Sequence, residues 1–290
     1  MPDLAWLDGE IMPLTEARVS FLDHGYFYGY GVYEACKAFA GKIYALEEHL
    51  ARLDRSLRAL RITPGLSGAE LARAMKDLAA WSGYEAVFLY LQITRGVGKR
   101  GAAPPENGPV ITMFATELEM MTPADWNAGI AVITLPDERW AHPDIKSLNL
   151  LPNILAKEKA LEEGAQEAIF YNERNVVTEA ASSNVFAVLA GERLVTPPLD
   201  GRILEGVSRL MILRRARENG LRIEETYFTR AELAQAAEIF ITGTSEEIVP
   251  VTGLDGARVG GGTAGPWTRR LYDMYLRAQG STDYFQRRNS

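Results

Sequence analysis

The longest unbroken apolar runs in this chain, Ala86–Leu91 and Val185–Ala190, are only six residues. A membrane-spanning helix needs about 20. Apolar residues make up 47 % of the chain, so they are dealt out in short pieces. A chain built this way has to fold from many short strands and amphipathic helices packed in layers. Its 290 residues suffice for about two domains. The one cysteine, Cys36, excludes an internal disulfide framework and a thiolate metal cluster. The three histidines, His24, His49 and His142, form no i, i+4 pair, which disfavours a catalytic zinc site, and no metal is expected. A net charge of -7 makes a nucleic-acid backbone a poor partner. The opening Met1-Pro2-Asp3-Leu4 lacks a basic stretch followed by an apolar one. A soluble, cytoplasmic protein without a membrane partner is the expectation.

Turn and capping signals place the elements. Leu4–Leu7, Asp8-Gly9 and Glu10–Met12 read as a hairpin. Glu34–Phe39, Ala40-Gly41 and Lys42–Leu46 read as a second. A helix should begin at Glu47, with Leu50, Leu53, Leu57 and Leu60 as one apolar stripe and Arg52 off it. Ser67 and Glu70 form a capping box for a helix that buries Leu71, Met75 and Leu78. Val87–Thr94 and Val110–Phe114 are β-rich, and Arg95–Gly108 between them is a Gly- and Pro-rich loop. The polar stretch Glu117–Asn127 reads as a linker. The scheme is an N-terminal α/β domain over 1–118, a linker over 119–128 and a C-terminal domain over 129–290. In the latter we expect strands at Ile130–Leu135, Ala168–Tyr171, Asn184–Leu189, Glu238–Thr242 and Ile248–Val251. Helices are expected at Leu148–Gly164, Gly206–Gly220, after the Thr229/Glu232 capping box, and at Pro266–Ala278. The polar tail after Gly280 reads as frayed. The class is α+β.

Chemistry-bearing residues are few. Only seven of the 31 basic residues are lysine. Lys146, in Asp144-Ile145-Lys146-Ser147-Leu148-Asn149, stands before an apolar helical pattern. It suits Schiff-base chemistry if desolvated, or it is a surface lysine with its stem on the leucines. Glu179, in Thr178-Glu179-Ala180-Ala181-Ser182-Ser183-Asn184, is followed by small residues that leave room for a flat ring. It is either the partner of a protonated heterocyclic nitrogen or a solvated turn glutamate. Gly206-Val207-Ser208 at a helix start and Gly243-Thr244-Ser245 after a strand offer N–H groups to a phosphate, though such residues also cap ordinary helices. Arg52 is a bidentate phosphate ligand or a solvated helix arginine. The loop Arg95-Gly96-Val97-Gly98-Lys99-Arg100-Gly101 is a carboxylate trap or a solvated hairpin tip. The aromatic run Tyr26–Tyr33 lines a pocket or packs in the core.

Together and in this order, these pieces resemble fold-type IV pyridoxal-phosphate enzymes, the branched-chain and D-amino acid aminotransferase family. The resemblance runs from about Leu4 to Ala278. It is carried by Gly31-Val32-Tyr33-Glu34, Glu48-His49-Leu50-Ala51-Arg52-Leu53, the Lys146 motif, and Thr178-Glu179 with Ser182-Ser183-Asn184. It implies a smaller α/β N-terminal domain and a larger C-terminal pseudo-barrel, with the cofactor between them. It implies that Lys146 is the Schiff-base lysine and that Glu179 pairs with the pyridine nitrogen. Arg52, the Val207-Ser208 backbone, Gly243 and Thr244 become the phosphate cup, and Leu204 packs on the ring. Tyr33, Lys99 and Arg100 bind the substrate carboxylate, the loop coming from the second subunit of a homodimer. The implied cofactor is pyridoxal 5'-phosphate, becoming pyridoxamine 5'-phosphate between two ping-pong half-reactions.

Within the family the D-amino acid enzymes look most similar, acting on D-alanine or D-glutamate and a 2-oxo acid. One position departs from them. Their histidine two residues after the arginine is Ala102 here, which points to Lys99 as a substitute or to broader specificity. A branched-chain L-amino acid aminotransferase and an (R)-amine transaminase are alternatives. The Arg95–Gly101 loop also resembles aminodeoxychorismate lyases. A non-catalytic binding module would not need Lys146, Glu179 and Arg52 together.

Overall fold

The computed structural model describes residues 3–279. The chain forms two compact units. The first extends to Glu119 and includes Ile145–Asn149; the second holds Met120–Asp144 and the chain from Leu150. The division falls within the stretch expected as a linker, and residues 145–149 group with the first unit, unlike the expected domain scheme.

In the first unit the elements are β1 (Leu4–Leu7), β2 (Glu10–Pro13), α1 (His24–Tyr28), β3 (Gly31–Phe39), β4 (Lys42–Ile43), α2 (Leu46–Ala59), α3 (Gly68–Ser82), β5 (Ala86–Thr94) and β6 (Ile111–Glu117). Their sheet is antiparallel throughout, in the order β2-β1-β6-β5-β3-β4. Alternate residues of a strand face one side, so Leu89, Leu91 and Ile93 of β5 enter the core with Leu71, Met75 and Leu78 of α3. The Ser67/Glu70 capping box is present at the start of α3.

Helix α2 departs from the expected stripe. Its buried residues are His49, Arg52, Leu53, Ser56 and Leu57, while Leu50 and Leu60 are only partly buried. The helix is rotated so that a polar edge faces inward. Counting leucines misses this rotation, because the partner of that edge is Glu34 on β3, far away in sequence.

The second unit contains α4 (Pro123–Ala128), β7 (Ile130–Pro136), α5 (Leu151–Glu162), β8 (Glu167–Tyr171), β9 (Val177–Ala180), β10 (Asn184–Leu189), β11 (Arg193–Thr196), α6 (Val207–Glu218), β12 (Glu224–Glu225), α7 (Arg230–Leu233), β13 (Glu238–Gly243), β14 (Glu247–Leu254), β15 (Ala257–Arg258) and α8 (Pro266–Gln279). The strand order is β12-β11-β10-β13-β14-β7-β8-β9, with β15 on β14. Val132, Ile169, Val177, Val185, Ile239 and Val251 come from six different strands and share one core. A sheet has to curl on itself for that to happen, which is the pseudo-barrel. The alternate residues Ile133, Ala168 and Phe170 leave by the other face and pack with Ala156 and Ala160 of α5.

Part of the expected linker is helical. Thr122 caps α4, Pro123 occupies its first turn, and Trp126 Nε1 donates to the Ile248 carbonyl at 2.6 Å. Thr-Pro is a helix-start signal that the polar composition of the segment masks. Helix α5 begins at Leu151 rather than Leu148, because residues 146–148 are extended along β3. Among the described residues no helix is long and apolar enough to cross a membrane. The tail after Gly280 lies outside the described residues.

Candidate active site

Lys146 is held by backbone bonds to the strand that carries Tyr33. Tyr33 N–H donates to the Lys146 carbonyl at 3.1 Å, and Leu148 N–H to the Gly31 carbonyl at 3.1 Å. Lys146 N–H donates to Ser56 Oγ of α2 at 3.2 Å. The side chain is partly buried, with Nζ 4.2 Å from the Tyr33 ring centroid, a cation–π distance. Tyr33 in turn stacks on Tyr90 at 5.6 Å. The amine is thus presented from a fixed backbone over an aromatic face.

Arg52 is not a solvated helix arginine. It is buried, and its Nε and Nη2 donate to the two oxygens of Glu34, each at 2.8 Å. His49 Nδ1 meets Glu34 Oε2 at 2.7 Å. Burial pushes the Glu34 carboxyl up, but the charge and hydrogen bonds of Arg52, then those of His49, outweigh it and bring it down to about 2. Burial lowers His49 against the pull of Glu34. Glu34, Cys36 and His49 have their donor atoms within 4.8 Å of one another, a grouping that no spacing in the sequence announces. With Arg52 bidentate on the carboxylate, the cluster is accounted for as a closed ion-pair network.

Glu179 lies on β9, not in a turn, and is buried. Its hydrogen-bond partners among the described residues are all donors. Arg139 Nη1 and Leu204 N–H (3.0 Å) reach Oε1, while Asn184 Nδ2 (2.9 Å) and Leu204 N–H (3.1 Å) reach Oε2. The same Asn184 nitrogen donates to the Leu204 carbonyl at 2.9 Å, which fixes the orientation of the amide. Burial raises Glu179 to about 7, opposed by Arg139 and the Leu204 N–H. Arg139 and its partner Asp137 carry no motif in the sequence. An arginine two residues after an aspartate acquires meaning only through the strand that it meets.

A cradle of backbone and hydroxyl groups forms where α6 begins and β13 ends. Gly206 is the N-cap of α6, with no side-chain cap, so Val207 and Ser208 bring helix N-terminal N–H groups. Ser208 Oγ donates to the Gly243 carbonyl at 2.8 Å and contacts Tyr275 Oη at 3.2 Å. Its hydroxyl is engaged, leaving the backbone as its contribution. A Cβ at Gly206 would sit 1.9 Å from Asn184 Oδ1, and one at Gly243 would sit 2.5 Å from Glu246 Oε2 and 3.4 Å from Ser183 Oγ. Glycine is therefore required at 206, against the buried Asn184, whereas the exposed Glu246 side chain could move aside at 243. Ser183 Oγ and Thr242 Oγ1 are buried without a partner among the described residues. Thr244 follows in the turn, partly buried.

Lys99 and Arg100 are exposed. Their loop is stitched to the segment around α1: His24 Nε2 lies 3.2 Å from the Lys99 carbonyl, and Arg100 lies 5.8 Å from the Tyr28 ring. Among the described residues no hydrogen bond or ring contact links Arg100 to Tyr33 or Lys146. The core reading of the aromatic run does not hold for Tyr26, which is 69 % exposed, or for Tyr28. Helix α1 spans only five residues and buries His24 instead.

The comparisons agree on one family. Residues 31–254 match the amino-transferase class IV family. The D-alanine aminotransferase of Bacillus licheniformis is 39 % identical, over 91 % of this chain and 93 % of that protein. That of Staphylococcus haemolyticus is 37 % identical, over 95 % and 99 %. Among solved structures, the branched-chain amino acid aminotransferase of Escherichia coli aligns with a TM-score of 0.88 at 26 % identity, covering 96 % of this chain and 95 % of that one. The branched-chain enzyme of Thermoproteus uzoniensis with norvaline aligns at 0.87 and 26 % identity, covering 97 % and 96 %. This chain belongs to the amino-transferase class IV family. It is an aminotransferase, with an amino acid and an oxo acid as its class of substrates.

Proposed function

We propose that this aminotransferase uses pyridoxal 5'-phosphate to move an amino group from a D-amino acid, such as D-alanine or D-glutamate, to a 2-oxo acid. The observation that carries the reading is the buried Glu179 carboxylate, met only by donors among the described residues. As a carboxylate, such a group can receive one more N–H, which suits a protonated pyridine nitrogen. The cradle fits a phosphate for a separate reason: two buried hydroxyls, Ser183 Oγ and Thr242 Oγ1, lack partners among the described residues, beside Gly243 and the uncapped start of α6. When bound, the cofactor supplies an electron sink for the carbanion formed at the substrate Cα.

In this reading Lys146 Nζ would hold the cofactor covalently and, once displaced by the incoming substrate amine, would be free to take the Cα proton and redeliver it, so one amine would be both base and acid. Glu179 holds the proton of the ring nitrogen in place. The Val207 and Ser208 N–H groups, Gly243 and Thr244 bind the phosphate, and Arg52, oriented by Glu34, adds positive charge. Leu204 supports the ring. Tyr33, Lys99 and Arg100 orient the substrate carboxylate, the loop reaching the site of a second copy in a homodimer. The exposure of Lys99 and Arg100, with no hydrogen bond or ring contact to Tyr33 among the described residues, supports that assignment. A cytoplasmic setting is part of the proposal. The D-alanine enzymes at 37–39 % identity favour the D-series; the structural likeness to branched-chain enzymes makes L-leucine the second reading.

Purified protein mixed with pyridoxal phosphate should show a visible absorption band that Lys146→Ala abolishes. D-alanine with 2-oxoglutarate should then yield pyruvate and D-glutamate. No cofactor binding by the wild type would refute the enzyme mechanism. Turnover of L-leucine alone would refute the D-series, as would activity confined to (R)-1-phenylethylamine or to aminodeoxychorismate.

A further inference from the structure

The roles proposed above leave one charged side chain beside Glu179 unused. Arg139 follows β7, and its side chain is 6 % exposed. Its Nε and Nη2 donate to Asp137 at 2.9 and 2.8 Å, and its Nη1 donates to Glu179. Asp137 also accepts the hydroxyl of Thr178, the neighbour of Glu179 on β9, at 2.8 Å. The guanidinium lies 5.0 Å from the centroid of the Phe170 ring. Because the guanidinium is a rigid planar fork, a carboxylate that grips one edge dictates where the remaining nitrogen points. Asp137 therefore sets the direction in which Arg139 meets Glu179.

We propose that Arg139, oriented by Asp137, is the positioning residue that keeps the Glu179 carboxylate charged and aimed at the ring nitrogen of the cofactor. The inference rests on the reading of Glu179 as the partner of that nitrogen. Three observations support it. All the polar partners of Glu179 are donors, which only the carboxylate form satisfies together. Burial works against that form, and Arg139 is the strongest influence opposing burial. Asp137, also facing Glu179, pushes in the same direction as burial. Arg202 contributes only a carbonyl to Arg139, at 3.4 Å, and turns its own guanidinium to Asp200. Without Arg139, no positive charge among these groups would oppose the effect of burial on Glu179.

The test compares wild type with Arg139→Met, Arg139→Lys and Asp137→Asn. The Glu179 titration is followed by carboxyl ¹³C NMR in cofactor-free protein, with Glu179→Gln supplying the assignment. Each protein is then loaded with pyridoxal phosphate labelled with ¹⁵N in the ring, and the ¹⁵N shift reports whether that nitrogen is protonated. Arg139→Met should raise the Glu179 midpoint by about 1 to 3 and move the ¹⁵N signal toward neutral pyridine at pH 7.5. Arg139→Lys, which keeps the charge without the fork, should restore part of both. Asp137→Asn should shift the ¹⁵N signal less than Arg139→Met does. Identical Glu179 titrations in wild type and Arg139→Met overturn the inference, even if every variant binds cofactor. If Arg139→Met does not fold, identical titrations in wild type and Arg139→Lys overturn it. A wild type that never binds pyridoxal phosphate refutes the cofactor reading instead, and the cofactor-free titration still judges Arg139.

Discussion

Glu34 in the first unit and Glu179 in the second are both buried carboxylates with a buried arginine partner. Glu34 is held down at about 2, whereas Glu179 is raised to about 7. Burial pushes both upward, so the difference lies in how the donors are shared. Arg52 gives Glu34 two nitrogens, and His49 adds a third contact. Arg139 gives Asp137 two nitrogens and Glu179 one. In the first pair the carboxylate's charge is settled by Arg52 and His49. The second is poised, with an anion held at the edge of its stability.

The sharpest way to break the contrast is to remove each carboxylate's charge. Glu34→Gln leaves the buried Arg52 without its counter-ion and should cost about 3–5 kcal/mol in urea unfolding. Glu179→Gln should cost less stability, because Arg139 keeps Asp137, yet it should slow transamination by about 10²–10³-fold. Equal stability losses would show that the two pairs are the same kind of structural bridge.

The pH dependence of the cofactor-free protein should separate them next. Glu179 has a folded value raised above its ordinary 4.5. Its contribution to stability is therefore fully present below about 4.5 and is lost as pH rises through about 7. The change is on the order of 3 kcal/mol. Glu34 is depressed from the same 4.5, so its contribution is present above that value and is lost as pH falls through about 2. Unfolding free energies measured from pH 4.5 to 8 should decline less steeply in Glu179→Gln than in wild type. Parallel curves would remove the poised character of Glu179.

A smaller effect should come through Asn184. In Gly206→Ala the new methyl meets Asn184 Oδ1 and displaces the amide that donates to Glu179. A loss of about 1–3 kcal/mol in stability is expected, along with weaker cofactor retention on gel filtration. Unchanged retention would detach Asn184 from the site.

Much of the fold was legible because its signals are local. The Asp8-Gly9 hairpin and the Ser67/Glu70 and Thr229/Glu232 capping boxes each involve residues a few positions apart, and all three form. The family was legible because its motifs stand in one order along the chain. The environment of the site was not. Leucine spacing put Arg52 outside the buried stripe, yet the ion pair with Glu34, 18 residues away, turns it inward. Glu179 reads as a turn residue because the small residues after it hide the strand that it belongs to. Arg139 had no motif, and its meaning lies 40 residues further along the chain.

By itself, the sequence determined that this chain builds short strands and amphipathic helices and that it belongs with the class IV aminotransferases. Those properties depend on residue type and near-neighbour spacing. Tertiary structure alone decided which arginine each buried carboxylate receives and how many of its nitrogens are spent elsewhere. That division sets the charge of Glu34 and Glu179, because a buried group's protonation follows from desolvation and from the few charges within hydrogen-bonding reach.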